Sequence, residues 1–189
     1  MSAVRTKEVL LSPDEYIAGE LLSEVRHEYL AGRTYERSES SVEHNHIAGN
    51  FFGELGVHLR GKQSQPFAVD MKVRIQTESD DSFYYPDVMV NCDPAGQHRY
   101  FCDTPALIVE VLSPDTERTD RREKRFAYQR LASLHTYVLI AQEQREVTVY
   151  HRLADGWEKT ILTGNDTPLV VPELEFSVAL DTLYARTGL

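Results

Sequence analysis

The run PALIVEVLS, residues 105–113, constrains the fold more than any other stretch: it is apolar and strand-forming almost throughout, yet carries one carboxylate, Glu110. A strand this apolar is covered on both faces, which places it in the middle of a sheet. A carboxylate in such a strand costs several kcal/mol unless it is protonated, hydrogen-bonded, paired or metal-bound. The fold must therefore bring an answering group to Glu110.

The neighbouring segments predict the rest of the architecture. Ser12, Pro13 and Glu15 form a capping-box signature that opens a short helix. HEYLAGRTYERSE reads as a hairpin turning at Ala31-Gly32, and Ile47, Phe51, Leu55 and Leu59 recur every fourth residue down a long helix. FAVDMKVRIQ and FYYPDVMVNC read as two strands, and 105–113 as a third. Thr119 to about Leu131 predicts a helix; TYVLIA, EVTVYHRL and GWEKTILTG predict strands, and LDTLYARTG a short closing helix ending at Gly188. This order predicts an α/β or α+β domain, a strand-centred sheet with helices on its faces. A chain of 189 residues fits one domain, with 1–65 as its helix-hairpin-helix start and 66–189 as its core.

Composition narrows the function classes. The net charge of -10 opposes long-range attraction to phosphate backbones, so a nucleic-acid site would have to be locally basic, supplied with metal ions or delivered by a partner. RTDRREKRF, residues 118–126, is the dense basic stretch and follows Glu110 closely, although a solvated helix face reads the same way. No apolar run approaches the roughly 20 residues of a membrane span. The N-terminus lacks the pattern of a secretory signal, and Cys92 and Cys102 form no framework, so a cytoplasmic setting is expected.

Glu110 shares its strand face with Ala106, Ile108 and Leu112 and is the one acid there. Asp87, after Pro86, likewise enters an apolar strand with no local partner. Two isolated acids that converge repel unless a cation lies between them, and Mg²⁺ takes oxygen ligands of this kind. Asp120, Lys124 and Tyr128 stand at i, i+4 and i+8 on the following helix. From there the amine of Lys124 could reach back, orient a water and stabilise the charge that develops in phosphodiester hydrolysis. A structural ion pair between Glu110 and Lys124 is the alternative.

The stretches DMKVRI, YYPDVMVNCD and PALIVEVLSPDT, with Asp120, Lys124 and Tyr128, resemble the Uma-type restriction endonuclease family within the PD-(D/E)xK nuclease-like superfamily. HEYLAG and the pattern of Ser41, His44, Asn45, Ile47 and Asn50 extend the resemblance over nearly the whole chain. It implies a restriction-endonuclease-like core, a mixed sheet flanked by helices, with Asp87 and Glu110 as ligands of Mg²⁺ or Mn²⁺, DNA as substrate and no organic cofactor. A homodimer is also compatible with it, since nucleases of this superfamily often cut as dimers. The superfamily's strand lysine, two residues after the Glu, is here Leu112; Lys124 matches the place to which the lysine migrates in this branch.

Five further residues call for a reading. Glu28 could ligate a second metal or hold Lys124, although most glutamates are surface acids. His44 could act in the site or cap its helix, and Asp70 could border the same pocket. Tyr84 and Tyr85 read as packing or rim residues. Two functions fit this set: a metal-dependent DNA endonuclease, or a catalytically silent binding or assembly protein that keeps the fold.

Overall fold

The computed structural model describes residues 10–37, 40–77, 80–113, 120–164 and 166–189, apart from the side chains at 120 and 121. Helix α1 (Pro13–Glu20) starts at the expected capping box, with the Ser12 side chain accepting from Glu15 N–H and the Glu15 carboxylate accepting from Ser12 N–H. Strands β1 (His27–Leu30) and β2 (Arg33–Glu36) form the expected hairpin. Its turn places both Ala31 (φ 48) and Gly32 (φ 93) at positive φ, the requirement of a type I′ turn. Helix α2 (Val42–His58) buries its stripe as read, with Ile47, Phe51 and Leu55 wholly inaccessible.

Between α2 and the central strand, the two expected strands prove to be four. They are β3 (Gln65–Ala68), β4 (Lys72–Gln76), β5 (Asp81–Tyr84) and β6 (Val88–Asn91). The pairings β3 with β6 and β4 with β5 make one long antiparallel hairpin, broken at the same level in both arms. In the first arm the break is a γ-turn: Asp70 N–H donates to the Ala68 carbonyl at 2.9 Å, and Val69 between them has φ 63. In the second arm Pro86 has no N–H to give to a ladder. Each arm thus passes from one sheet to the other, so Asp70 stands at a corner and does not interrupt a strand.

The remaining strands are β7 (Phe101–Cys102), β8 (Pro105–Leu112), β9 (Thr136–Ala141), β10 (Glu146–Leu153), β11 (Gly156–Thr163), β12 (Pro168–Val171) and β13 (Phe176–Ala179). The expected α+β arrangement of mixed sheet and flanking helices is present, and among the described residues its strands form two sheets, ordered β2-β1-β5-β4-β7 and β11-β10-β9-β8-β6-β3, plus the ribbon β12-β13. β8 is central, antiparallel to β6 and parallel to β9, and buried at every residue. After it, residues Asp120–Lys124 are π-helical and run into α3 (Arg125–Tyr128), which stops short of the expected Leu131. The closing helix is also shorter than read, α4 (Leu180–Leu183).

These elements stack in layers. One core lies between the two sheets: Val73, Ile75 and Tyr84 meet Met89, Ile108, Leu112, Leu139 and Tyr137, with Tyr128 of α3 among them. The other face of the six-stranded sheet, through Val88, Leu107, Val109 and Val111, packs on α2, α4 and the ribbon. Tyr16 of α1 covers the outer face of the smaller sheet against Tyr29 and Phe83. No helix among the described residues is long and apolar enough to cross a membrane.

Candidate functional site

Strand alternation decides where Glu110 points. Ile108 and Leu112 belong to the core between the sheets, so Glu110 faces that core too, and it is 2% exposed. Two groups meet it. The Tyr128 hydroxyl donates to Glu110 Oε1 at 3.0 Å, and Lys124 Nζ lies 3.5 Å from the same oxygen. Burial, then the charges of Glu110 and Glu28, raise the Tyr128 pKa well above its ordinary value, which keeps the phenol a proton donor.

Glu28 comes from the opposite sheet. β1 pairs with β5 through Tyr29 and Phe83, and one step further in that register Glu28 faces Tyr84. Its Oε1 lies 2.7 Å from Lys124 Nζ, an ion pair not aligned as a hydrogen bond. Lys124 therefore joins two carboxylates across the gap between the sheets, with the Tyr84 ring centroid 5.8 Å away. The Tyr84 hydroxyl is pushed up to about 12 by burial and then by the Glu28 charge, with Lys124 opposing. Of the readings open for Glu28, a surface or structural acid, a second metal ligand or a residue that holds Lys124, the ion pair fits a structural acid that holds Lys124.

Asp87 sits where the β5 arm crosses into the six-stranded sheet. Continued one step beyond the Val88–Val109 pair, the register sets its backbone opposite Glu110. Its Oδ2 accepts from Val111 N–H at 2.7 Å. Its Oδ1 lies 3.0 Å from His44 Nε2 and 3.4 Å from Arg37 Nη2. Burial works to raise the Asp87 pKa, but the hydrogen bond and charge of His44, the Val111 N–H and the Arg37 charge together hold it below the usual value. His44 gets there because Ser41 is the cap of α2, accepting from His44 N–H at 3.0 Å. The imidazole then projects from the first turn towards Asp87.

The structure thus brings together Asp87 with His44, and Glu110 with Lys124, Tyr128 and Glu28. Asp70 does not join them: its side chain is 60% exposed and pairs with Arg26 at 3.2 Å. At a γ-turn corner it points away from the interlayer, which corrects its reading as a pocket residue. The side chain of Asp120 lies outside the described residues. Arg37 escaped sequence reasoning, although the hairpin register around Ala31-Gly32 carries the chain past β2 towards Asp87.

A divalent metal was expected here. Among the described residues, no group of three or more His, Cys, Asp or Glu side chains stands arranged around a metal position. The carboxylates of Asp87 and Glu110 are hard oxygen donors on neighbouring segments of the sheet, and in chemistry such donors fit Mg²⁺ or Mn²⁺.

Comparison with known proteins gives a consistent result. The model of the Uma2 family, described as "Putative restriction endonuclease", matches residues 13–182. Two proteins of Synechocystis sp. (strain ATCC 27184 / PCC 6803 / Kazusa), both described as uncharacterized, are similar in sequence. One is 32% identical over 176 residues, covering 92% of this chain and 91% of its own. The other is 30% identical over 181 residues, covering 94% and 98%. A crystal structure of "a putative nuclease" from Anabaena variabilis ATCC 29413 superposes with a TM-score of 0.74 at 16% identity, covering 94% of this chain and 99% of its own. At that identity it speaks for the fold.

Proposed function

Since the chain belongs to the Uma2 family of restriction-endonuclease type, we propose that it is a Mg²⁺- or Mn²⁺-dependent endonuclease that hydrolyses phosphodiester bonds in DNA, with Asp87 and Glu110 holding the metal. The observation that carries this reading is the position of Lys124, whose amine reaches the Glu110 carboxylate from the helix after β8. A lysine absent from the strand at Leu112 is thereby supplied at the same carboxylate from another element, and chemistry depends on that geometry rather than on chain position. When bound, the metal would supply Lewis-acid charge to the phosphate oxygens.

The chain's own groups do the rest. Tyr128 fixes Glu110 Oε1, and the Val111 N–H fixes Asp87 Oδ2, so that neither carboxylate rotates freely. Lys124 brings a positive charge to the edge of the site, where it orients the attacking water and offsets the negative charge growing on the phosphate. Glu28 holds that amine in place from the facing strand.

The test is cleavage of supercoiled plasmid and of single-stranded DNA with Mn²⁺, with EDTA, and by Glu110→Ala and Lys124→Ala variants. Metal-dependent cutting that both variants lose supports the assignment; variants that cut as well as the parent overturn it. A second reading, a silent binding or assembly protein, is favoured by one specific observation. The acids of the site already have partners in the protein, Asp87 facing His44 and Arg37, and Glu28 and Glu110 facing Lys124. A parent protein that cuts neither DNA with Mn²⁺ supports this reading.

A further inference from the structure

The β1–β2 register continues beyond its strands: Arg37 N–H donates to the Arg26 carbonyl at 3.0 Å, which places Arg26 and Arg37 directly opposite each other. Like charges in that relation repel. Both guanidinium groups nonetheless reach the same corner, the turn between β3 and β4. Arg26 Nε donates to Asp70 Oδ1 at 3.2 Å and its Nη1 to the Ser23 carbonyl at 3.1 Å. Arg37 Nη1 donates to the Val69 carbonyl at 3.3 Å, while its Nη2 reaches Asp87. The Arg37 guanidinium also lies 5.4 Å from the Tyr85 ring centroid, and the Tyr85 hydroxyl accepts from the buried Lys72 ammonium at 3.1 Å.

Three cations thus lie around the β3–β4 corner and Tyr85, and one of them, Arg37, reaches Asp87, in a chain of net charge -10. A guanidinium presents five N–H donors, and the contacts named occupy two on each arginine. Both side chains reach solvent, Arg26 at 38% and Arg37 at 25% exposure. The Asp70 partner of Arg26 is itself exposed, and exposed pairs contribute little, so a stronger anion displaces it readily. In the basic stretch at 118–126, Lys124 is buried among carboxylates and Arg125 donates to the Tyr150 hydroxyl at 3.1 Å, while Arg122 is exposed.

We propose that Arg26 and Arg37 form a clamp for the DNA backbone, binding phosphates that flank the one held at Asp87 and Glu110. This rests on the nuclease reading. Planar guanidinium forks match phosphate oxygens, and a negatively charged chain needs such a local site to hold a polyanion.

The test is binding of a fluorescent duplex in EDTA, followed by anisotropy across a series of low salt concentrations. The proteins are the parent, Arg26→Ala, Arg37→Ala, Arg37→Lys and, as control, Lys159→Ala on the exposed face of edge strand β11. Each arginine-to-alanine change should weaken binding and flatten the slope of log K against log salt by about 0.9, while Arg37→Lys keeps the slope and Lys159→Ala matches the parent. Arg26 makes no contact with Asp87, so its variant carries the test even if Arg37→Ala fails to fold. Variants with the parent's affinity and slope, or a parent that does not bind duplex, overturn the clamp. A parent that cuts with Mn²⁺ while the variants bind normally overturns the clamp alone. Arginine-dependent binding with no cutting keeps the clamp and overturns the nuclease reading.

Discussion

At the residue scale, the buried acid of β8 is held by a phenol and an ammonium, and the two contribute differently. Tyr128→Phe keeps the ring and removes one hydrogen bond to a charged group, which should lower stability by roughly 1.5–3 kcal/mol in urea denaturation. An unchanged midpoint would mean that Glu110 does not depend on that bond. Lys124→Met leaves Glu28 and Glu110 without their shared cation and should cost roughly 3–5 kcal/mol. Adding Glu28→Gln to that variant should recover part of the loss, and no recovery would contradict the bridge. Lys72 gives a pH-dependent case. Burial, opposed by Glu20 and reinforced by Arg26, lowers its pKa below the ordinary 10.5, so over the window between the folded value and 10.5 the unfolded chain holds more protons. Its contribution to stability is therefore present above 10.5 and lost as pH falls through the folded value. The stability of the parent relative to Lys72→Met should rise with pH across that window, and a flat difference would contradict it.

At the scale of elements, regular segments were legible and corners were not. The capping box at Ser12, the α2 stripe and the wholly buried β8 follow from local spacing and appear as read. The sheet crossing at 69–71 and 85–87 was missed because Val69 is a strand-former that the structure holds at φ 63. That conformation depends on pairings between distant arms, which no local pattern carries. It also makes a prediction. A left-handed conformation costs an L-residue about 1–2 kcal/mol, and Asn tolerates it better than a β-branched residue. Val69 is exposed, so Val69→Asn should raise stability by roughly 1 kcal/mol, read as a higher Tm, with the Arg37 contact to the backbone carbonyl preserved. A lower Tm would place the origin of the corner in the valine side chain. The candidate site divides in the same way: Asp87, Glu110 and Lys124 stand out because they are charges in apolar or helical patterns, whereas Glu28 and Arg37 look like any surface residue until the sheet pairings place them.

At the scale of the whole molecule, the site lies at the junction of its layers. Glu28 comes from one sheet and Glu110 from the other, Asp87 from the arm that joins them, Lys124 from the turn after β8, and His44 from the helix behind. A metal held at such a junction would tie the sheets together and bind the folded chain alone. Ligation of that kind raises stability by mass action, by about 2.7 kcal/mol at a hundredfold excess over Kd. The most direct measurement is therefore thermal melting of the parent, Asp87→Asn and Glu110→Gln with and without Mn²⁺. The Tm should rise with Mn²⁺ concentration in the parent and stay flat in both variants. A parent whose Tm ignores the metal, or variants that respond as strongly as the parent, would contradict metal binding at this site.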